Sequence, residues 1–73
     1  SERLFRAGLE VDARFTGLRV GLARTLIKRG RAAEARRELQ AVLDEKASSN
    51  AADWALKDAP GARRLLAELP APP

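Results

Sequence analysis

The strongest constraint on the fold is Gly30, which lies between two segments whose apolar residues recur with helical spacing. The segment before it, from about 16 to 29, contributes Leu18, Leu22, Leu26 and Ile27. The segment after it, from about 32 to 46, contributes Ala35, Leu39, Val42 and Leu43. A glycine with basic neighbours is a helix-stop signal, because glycine readily adopts the left-handed conformation in which many helices end. The pattern therefore predicts an antiparallel helical hairpin over residues 16–47.

A shorter helix is predicted ahead of this hairpin. Residues 1–12 place Leu4, Phe5 and Leu9 on one helix face. After a short connection, Thr16 is the predicted N-cap of the next helix, since its hydroxyl can accept a backbone N–H.

Two further helix-start signals follow the hairpin. Asn50 is the predicted N-cap of a short helix. Asp58 is the predicted cap of a second helix, with Pro60 in its first turn, where a missing N–H would have no partner in any case. The proline-rich residues 70–73 are expected to be disordered.

The composition excludes several kinds of functional site. The chain has no Cys and no His among its 73 residues. Disulfides and thiolate or imidazole metal sites are thereby excluded, and no histidine base is available to activate a serine. No glycine-rich phosphate loop is present, and no apolar run approaches the roughly 18 residues of a membrane span. We therefore expect a protein that is not an enzyme, needs no cofactor or metal, and has no membrane span.

The net charge of +4 is distributed unevenly. Residues 1–37 carry ten Lys or Arg against four Asp or Glu, whereas residues 38–73 carry four against six. A basic N-terminal half can steer an anionic partner towards the protein. Charges that alternate with an apolar stripe are also typical of any exposed helix face, and this interpretation is favoured. Nucleic-acid binding is a weaker alternative, because no aromatic stacking platform accompanies the basic residues.

A second regularity relates the N-terminal helix to the second helix of the hairpin. At an offset of 34 residues, the identical pairs are Arg3/Arg37, Ala7/Ala41, Leu9/Leu43 and Ala13/Ala47. At the same offset, Phe5 and Gly8 correspond to Leu39 and Val42. Both segments end a predicted helix, and a period of this length indicates stacked helical units.

The chain resembles the tetratricopeptide repeat (TPR) family, whose unit is a 34-residue helix–turn–helix. The residues at matching positions are Arg19, Leu22, Ala23, Leu26, Ala35, Leu39, Val42 and Ala47, with Gly30 at the turn. Departures from the family pattern are Arg19 for Trp, Leu26 for Tyr, Leu39 for Phe and Ala47 for Pro. The resemblance implies an all-α fold of antiparallel hairpins stacked as a right-handed superhelix, in which Ala23 and Ala35 mark the closest crossing of the two helices.

The resemblance also divides the chain into units. Residues 1–13 are expected to be the second helix of a preceding repeat, and residues 14–47 to be a complete repeat. Residues 48–69 are expected to form capping helices, because the last apolar face of a repeat array must be covered. Trp54 is expected to belong to this cover, although a role as a binding hot spot stays open.

In TPR proteins, the first helix of each repeat lines the ligand surface. By position, the corresponding residues are Gly17, Val20, Gly21, Arg24, Ile27 and Lys28. The family's clamp for an acidic C terminus is not expected, because Gly17, Val20 and Gly21 occupy three of its positions. We predict a non-catalytic scaffold that binds a protein or peptide partner. The predicted contact residues are Val20, Arg24, Ile27 and Lys28.

The two glycines of this helix have two interpretations. Gly17 and Gly21 lie four residues apart, on one side of the helix. They allow either close packing within the fold or a groove that another chain enters. Packing is favoured for Gly17, and both interpretations stay open for Gly21.

Self-association is the main alternative to partner binding. The interface is then expected at the N-terminal edge, formed by Leu4, Phe5, Leu18 and Leu22. Because the chain has no Met, we expect that Ser1 is not the natural start of the protein but either a processing point or the boundary of a fragment. Its Arg-rich and Ala-rich composition is typical of a bacterial source. The lack of Cys agrees with the cytoplasm, which is slightly favoured, and with the periplasm.

Overall fold

The computed structural model describes residues 1–72, which form helices and turns without a strand. The first three helices are α1 (Glu2–Val11), α2 (Thr16–Lys28) and α3 (Ala32–Asp44). A C-terminal helix then runs over residues 51–68, in which α4 (Ala51–Asp53) leads through a π-helical turn (Trp54–Asp58) into α5 (Ala59–Glu68). The architecture confirms the predicted all-α fold. Within residues 1–72, no helix is long and apolar enough to cross a membrane.

The turn between α2 and α3 is closed by Gly30, as predicted. Gly30 has φ of +75°, in the left-handed region that a side chain would disfavour. Its N–H donates to the carbonyl of Ile27 at 3.0 Å, and the N–H of Arg31 donates to the carbonyl of Leu26 at 2.9 Å. This pair of bonds is a Schellman motif, which satisfies the last carbonyls of α2 and directs the chain back along it.

The core forms where α2, α3 and α5 meet. Its buried members are Val20, Leu22, Ala23, Leu26, Ala35, Leu39, Val42 and Ala62. Ala23 and Ala35 are both fully buried, as expected for small residues at the crossing of two helices. Partly buried apolar side chains from α1 and from the C-terminal helix, among them Phe5, Trp54 and Leu65, pack around this core.

Helices α1 and α2 pack closely because each places a large side chain against a glycine of the other. A Cβ added at Gly21 would lie 2.5 Å from Cε1 of Phe5, and one added at Gly8 would lie 2.5 Å from Cδ1 of Leu18. The space beside Gly21 is therefore filled by the Phe5 ring of the same chain. This contact decides the open question for Gly21 in favour of packing within the fold.

A methyl group at Gly21 should weaken the docking of α1. The Gly21→Ala variant is expected to have a free energy of unfolding about 1 kcal/mol lower, because overpacking against the Phe5 ring outweighs the better helix propensity of Ala. Gly17→Ala is the matched control, since its Cβ would meet the half-exposed Phe15 ring at 3.3 Å and Oδ1 of Asp58 at an ordinary contact distance of 3.7 Å. Urea unfolding followed by circular dichroism measures both variants. A Gly21→Ala variant as stable as Gly17→Ala would contradict the packing.

Thr16 is not the N-cap of α2, and that prediction was wrong. The cap position belongs to Phe15, and Thr16 is already helical. Its side chain is buried, and its hydroxyl donates to Oδ2 of Asp58 at 2.8 Å instead of accepting a backbone N–H. A partner 42 residues away in the sequence therefore takes the hydroxyl that a local cap would use.

The C-terminal helix differs from the two separate helices that were predicted. Asn50 does cap its start, with Oδ1 accepting the N–H of Asp53 at 3.0 Å. Asp58 caps nothing, because its backbone is helical and its carboxylate is turned towards Thr16. The chain continues through a π-helical turn, in which the N–H of Ala59 donates to the carbonyl of Trp54. The wider turn accommodates Pro60, which has no N–H to donate and whose ring would clash inside a regular α-helix.

Trp54 joins the C-terminal helix to α3. Its ring is half-buried against the core, and its Nε1 donates to the carbonyl of Val42 at 2.7 Å. This carbonyl lies in the last turn of α3 and also accepts the N–H of Glu45 at 3.3 Å. Of the two interpretations of Trp54, this contact favours the structural one.

The N-terminal edge is only partly as predicted. Leu4 is 72% exposed, but Leu22 is fully buried, and Phe5 and Leu18 are half-buried because α1 and α2 cover each other. Leu22 therefore offers no surface for self-association.

At the other end of the chain, residues 70–72 have no regular secondary structure. The Pro70 carbonyl accepts a hydrogen bond from the guanidinium of Arg36. The predicted disorder of Pro73 lies outside the described residues.

Candidate functional site

The four predicted contact residues all lie on α2, but they are not equally available. Arg24 and Lys28 are exposed, one helical turn apart. Ile27 is half-buried and packs against the core. Val20 belongs to the core and is only 9% exposed. A partner on this surface would therefore meet two cationic head groups and the outer part of one aliphatic side chain.

Arg24 and Lys28 stand apart from the charge network of the protein. Neither side chain makes an ion pair or hydrogen bond with another residue in the range 1–72, whereas several other arginines are held by carboxylates. Lys28 lies in the last turn of α2, where the helix dipole favours positive charge. We name this surface, formed by Arg24, Ile27 and Lys28, the α2 face.

The basic residues at the α2–α3 turn are, in contrast, neutralised by Glu2. Its carboxylate accepts from Arg31 at 2.7 Å and from Arg6 at 3.0 Å, and it lies 3.5 Å from Arg29. Glu34 binds Arg31 as well, at 2.8 Å. This network ties the start of α1 to the turn and pairs Arg6, Arg29 and Arg31 with two carboxylates.

The same network lowers the pKa values of both carboxyl groups. The pKa of Glu2 lies below its usual value, chiefly because Arg6 donates a hydrogen bond to it and further because Arg31 does so. For Glu34, the hydrogen bond from Arg31 lowers the pKa most. Since both groups are ionised more readily in the folded chain than in the unfolded chain, the network stabilises the fold only while they are charged.

The protein should therefore lose stability in acid. As the pH falls below about 4.5, the unfolded chain takes up protons on these glutamates first, and the stabilisation is lost as the pH passes through the lower pKa values of the folded state. The melting temperature should thus fall between pH 6 and pH 3, and it should fall less in the Glu2→Gln/Glu34→Gln variant. Thermal unfolding followed by circular dichroism across this pH range measures the effect.

A matched control for this prediction replaces two exposed carboxylates outside the network. Asp44→Asn/Glu68→Gln removes the same charge, and neither residue contacts a cation within residues 1–72. Equal acid sensitivity of the two double variants would contradict the role of the network.

Arg19 occupies the position at which the family pattern has an aromatic residue, and it acts as a structural bridge. Its guanidinium donates to Glu38 at 2.8 Å and to the carbonyl of Ala13 at 2.6 Å. Both side chains of the ion pair are only 20% exposed. The arginine therefore joins the loop before α2 to α3, and it is not available to a ligand.

A polar cluster that sequence reasoning missed joins the repeat to the C-terminal helix. The buried Thr16 hydroxyl lies 2.7 Å from Oγ of Ser48 and donates to Asp58 at 2.8 Å. Beside it, Ser49 donates its backbone N–H to the Arg14 carbonyl at 3.0 Å. No motif marks these residues, because they come together only when the loop before α2 meets the loop after α3.

The polar and charged groups described above can stabilise the packing of the helices or contact another molecule. Within residues 1–72, no cluster of three or more acidic, Cys or His side chains is placed to hold a metal ion. The buried Asp58 carboxylate is already hydrogen-bonded to Thr16. The α2 face is a surface where exposed charges, unpaired within residues 1–72, lie next to an apolar side chain.

Comparison with known proteins agrees with this geometry. A sequence model of the tetratricopeptide repeat matches residues 2–57, which include α1, the hairpin and the start of the C-terminal helix. The chain belongs to the tetratricopeptide repeat family. No curated protein and no solved structure gives a significant match. TPR proteins generally mediate protein–protein interactions and are typically non-catalytic scaffolds.

The ion network around Glu2 lies where α1 meets the α2–α3 turn, and it includes none of the residues of the α2 face.

Proposed function

We propose that this TPR protein is a non-catalytic interaction module whose α2 face binds an acidic segment of a protein partner. The observation that carries the proposal is the pair Arg24 and Lys28, two exposed cations without an ion partner within residues 1–72. The predicted register supports it, since it makes α2 the first helix of a repeat, and first helices line the ligand surface in TPR proteins. Such a pair can form charge-assisted hydrogen bonds with carboxylates without first breaking an internal contact.

Ile27 supports a partner that is both acidic and apolar. It lies between the two cations in sequence and is half-buried against the core, so its side chain is held in place before a ligand arrives. A preorganised apolar contact adds affinity at little cost in side-chain entropy. A partner segment that alternates acidic and aliphatic residues would use both features.

The C-terminal helix supports a further part of the proposal, namely that residues 48–69 end the array. This helix packs along α3 with Ala59, Gly61 and Ala62 buried, and its opposite side carries exposed Arg63 and Arg64. Buried small residues on one side and charges on the other are what a terminal, solubilising helix requires.

The test uses synthetic peptides, since the partner is unidentified. A peptide of alternating Glu and Leu is compared with one in which Lys replaces Glu, by fluorescence anisotropy at low salt. Only the acidic peptide should bind. The Arg24→Ala/Lys28→Ala variant should bind it about two- to thirtyfold more weakly, since two exposed charge contacts are worth roughly 0.2–1 kcal/mol each.

The control is Arg3→Ala/Arg37→Ala, which removes the same charge from equivalent positions on α1 and α3. Both residues are exposed and are without an ion pair in the described chain. The control should bind almost as well as the natural sequence, and its helix content should be unchanged. Equal losses in the two double variants would show general charge attraction and would contradict the proposed face.

A further inference from the structure

An open groove lies between α1 and α3, with α2 as its floor. Its volume is about 260 Å³. The floor is apolar, because the buried Leu22 of α2 lies there beside the half-buried Leu9 of α1. The other lining residues are charged, and they are Arg6, Glu10, Arg19 and Glu38. We name the cavity that these six residues line the α1–α3 groove.

The two arginines of the α1–α3 groove are already held by carboxylates. Arg6 donates to Glu2 at 3.0 Å and to Glu34 at 3.3 Å. Arg19 donates to Oε1 of Glu38 at 2.8 Å. An anion that entered the groove would therefore have to displace a carboxylate from one of these guanidinium groups.

The two carboxylates of the groove, in contrast, can accept further hydrogen bonds. Glu10 is exposed, and within residues 1–72 its side chain has neither an ion pair nor a hydrogen bond. Glu38 accepts from Arg19 through Oε1, and no described residue donates to its Oε2. An ionised carboxylate only accepts, through two oxygens with several lone pairs. The free hydrogen-bonding groups of the α1–α3 groove are thus anionic acceptors next to an apolar floor.

The internal repeat indicates that a helix packed on the other side of α1 would leave this groove open. At the 34-residue offset, Arg6 and Glu10 correspond to Gln40 and Asp44 of α3. Both Gln40 and Asp44 are exposed, although α2 and the C-terminal helix pack on α3. A helix that packed on α1 as α2 packs on α3 would therefore leave Arg6 and Glu10 accessible.

We propose that the α1–α3 groove receives an arginine side chain of a protein partner. The aliphatic stem of that arginine packs on Leu9 and Leu22, and its guanidinium donates to Glu10 and to Oε2 of Glu38. Arginine fits the groove better than lysine, because its planar guanidinium carries five N–H donors and is more weakly hydrated than an ammonium group. The proposal does not rest on the α2 face, which shares no residue with the groove.

Three short peptides test the groove by nuclear magnetic resonance. They are Ala-Ala-Arg-Ala-Ala with blocked ends and the same peptide with Lys or Leu in place of Arg. Each is titrated at low salt into the ¹⁵N-labelled chain, up to millimolar concentration. The arginine peptide should shift the amide signals of residues 6–10, 19–22 and 38. The lysine peptide should bind at least about threefold more weakly, and the leucine peptide should not bind.

Two variants at Glu10 and one matched control complete the test. Glu10→Gln should weaken binding of the arginine peptide about two- to fivefold, because one exposed charge contact is lost, and Glu10→Arg should abolish it. Asp44→Asn removes the same charge from the equivalent position of α3, outside the groove, and should bind the peptide as the natural sequence does. Circular dichroism checks that each variant keeps its helix content.

Three results would overturn the proposal. The first is an arginine peptide that shifts no signal in the groove, and the second is a lysine peptide that binds as well as the arginine peptide. The third is an equal loss of binding in Glu10→Gln and Asp44→Asn, which would show general attraction between the peptide and the negative charges of the chain.

Discussion

Replacing Leu39 by Ala is expected to remove most of the stability of this protein. Leu39 is fully buried in the centre of the core, on the side of α3 that faces α2. Truncation of such a leucine costs about 2–5 kcal/mol, because the lost apolar contacts add to the cavity that remains. A single core in a chain of this size supplies only about 3–5 kcal/mol, so the variant should be largely unfolded at room temperature.

Urea unfolding followed by circular dichroism measures this effect, and Leu56 supplies the control. Leu56→Ala removes the same atoms from a side chain that is 78% exposed, so the free energy of unfolding should change by less than about 0.5 kcal/mol. A Leu39→Ala variant that unfolds at nearly the same urea concentration as Leu56→Ala would show that the core does not hold the helices together.

The second large effect is expected from Asp58→Ala. Asp58 is 9% exposed, and its carboxylate accepts the hydroxyl hydrogen of Thr16 at 2.8 Å. Its removal deprives the buried Thr16 hydroxyl of its charged acceptor at the contact between α2 and the C-terminal helix and leaves Ser48, at 2.7 Å, as its partner. Loss of a hydrogen bond to a charged group costs about 1–3 kcal/mol. The C-terminal helix should also become less protected against amide hydrogen exchange, because this bond holds its first turns on α2.

Asp58→Asn separates the hydrogen bond from the charge. The amide keeps an oxygen that can accept from Thr16, so this variant should retain most of the stability lost in Asp58→Ala. In a double-mutant cycle, Thr16→Val and Asp58→Ala should show a coupling energy of about 0.5–3 kcal/mol. Additive effects of the two substitutions would contradict a direct bond.

The hairpin was predictable from local signals that agree with one another. Gly30 ends α2 with φ of +75°, and the apolar stripes on either side of it become the buried faces of α2 and α3. Helical periodicity and a glycine stop act over a few residues, and nothing elsewhere in the chain opposes them. The start of the C-terminal helix at Asn50 was predictable for the same reason.

The failures occurred where a distant partner competes with a local signal. Thr16 and Asp58 each look like an N-cap in sequence, but the folded chain brings them together and uses both side chains in one buried bond. Gly21 gave an ambiguous signal because the Phe5 ring that fills the space beside it belongs to another helix. The spacing of residues within one segment cannot predict contacts between segments that are far apart in the sequence.

The residues of the candidate site follow from their predicted register in the repeat, and their role in binding stays a prediction. The register does not show which basic side chains are paired with carboxylates in the folded chain. The structure separates Arg24 and Lys28 from Arg29 and Arg31, because Glu2 reaches the latter pair from the start of α1. It also places Val20 in the core, since the C-terminal helix and α3 close over that side of α2.

The most direct test of the account is residue-resolved mapping of the acidic peptide by nuclear magnetic resonance. With the ¹⁵N-labelled chain and the peptide of alternating Glu and Leu, the largest amide shift changes should fall on residues 20–28. Those changes should disappear in Arg24→Ala/Lys28→Ala and persist in Arg3→Ala/Arg37→Ala. Shift changes centred on α1 or α3, or an unchanged map in the Arg24→Ala/Lys28→Ala variant, would contradict binding at the α2 face.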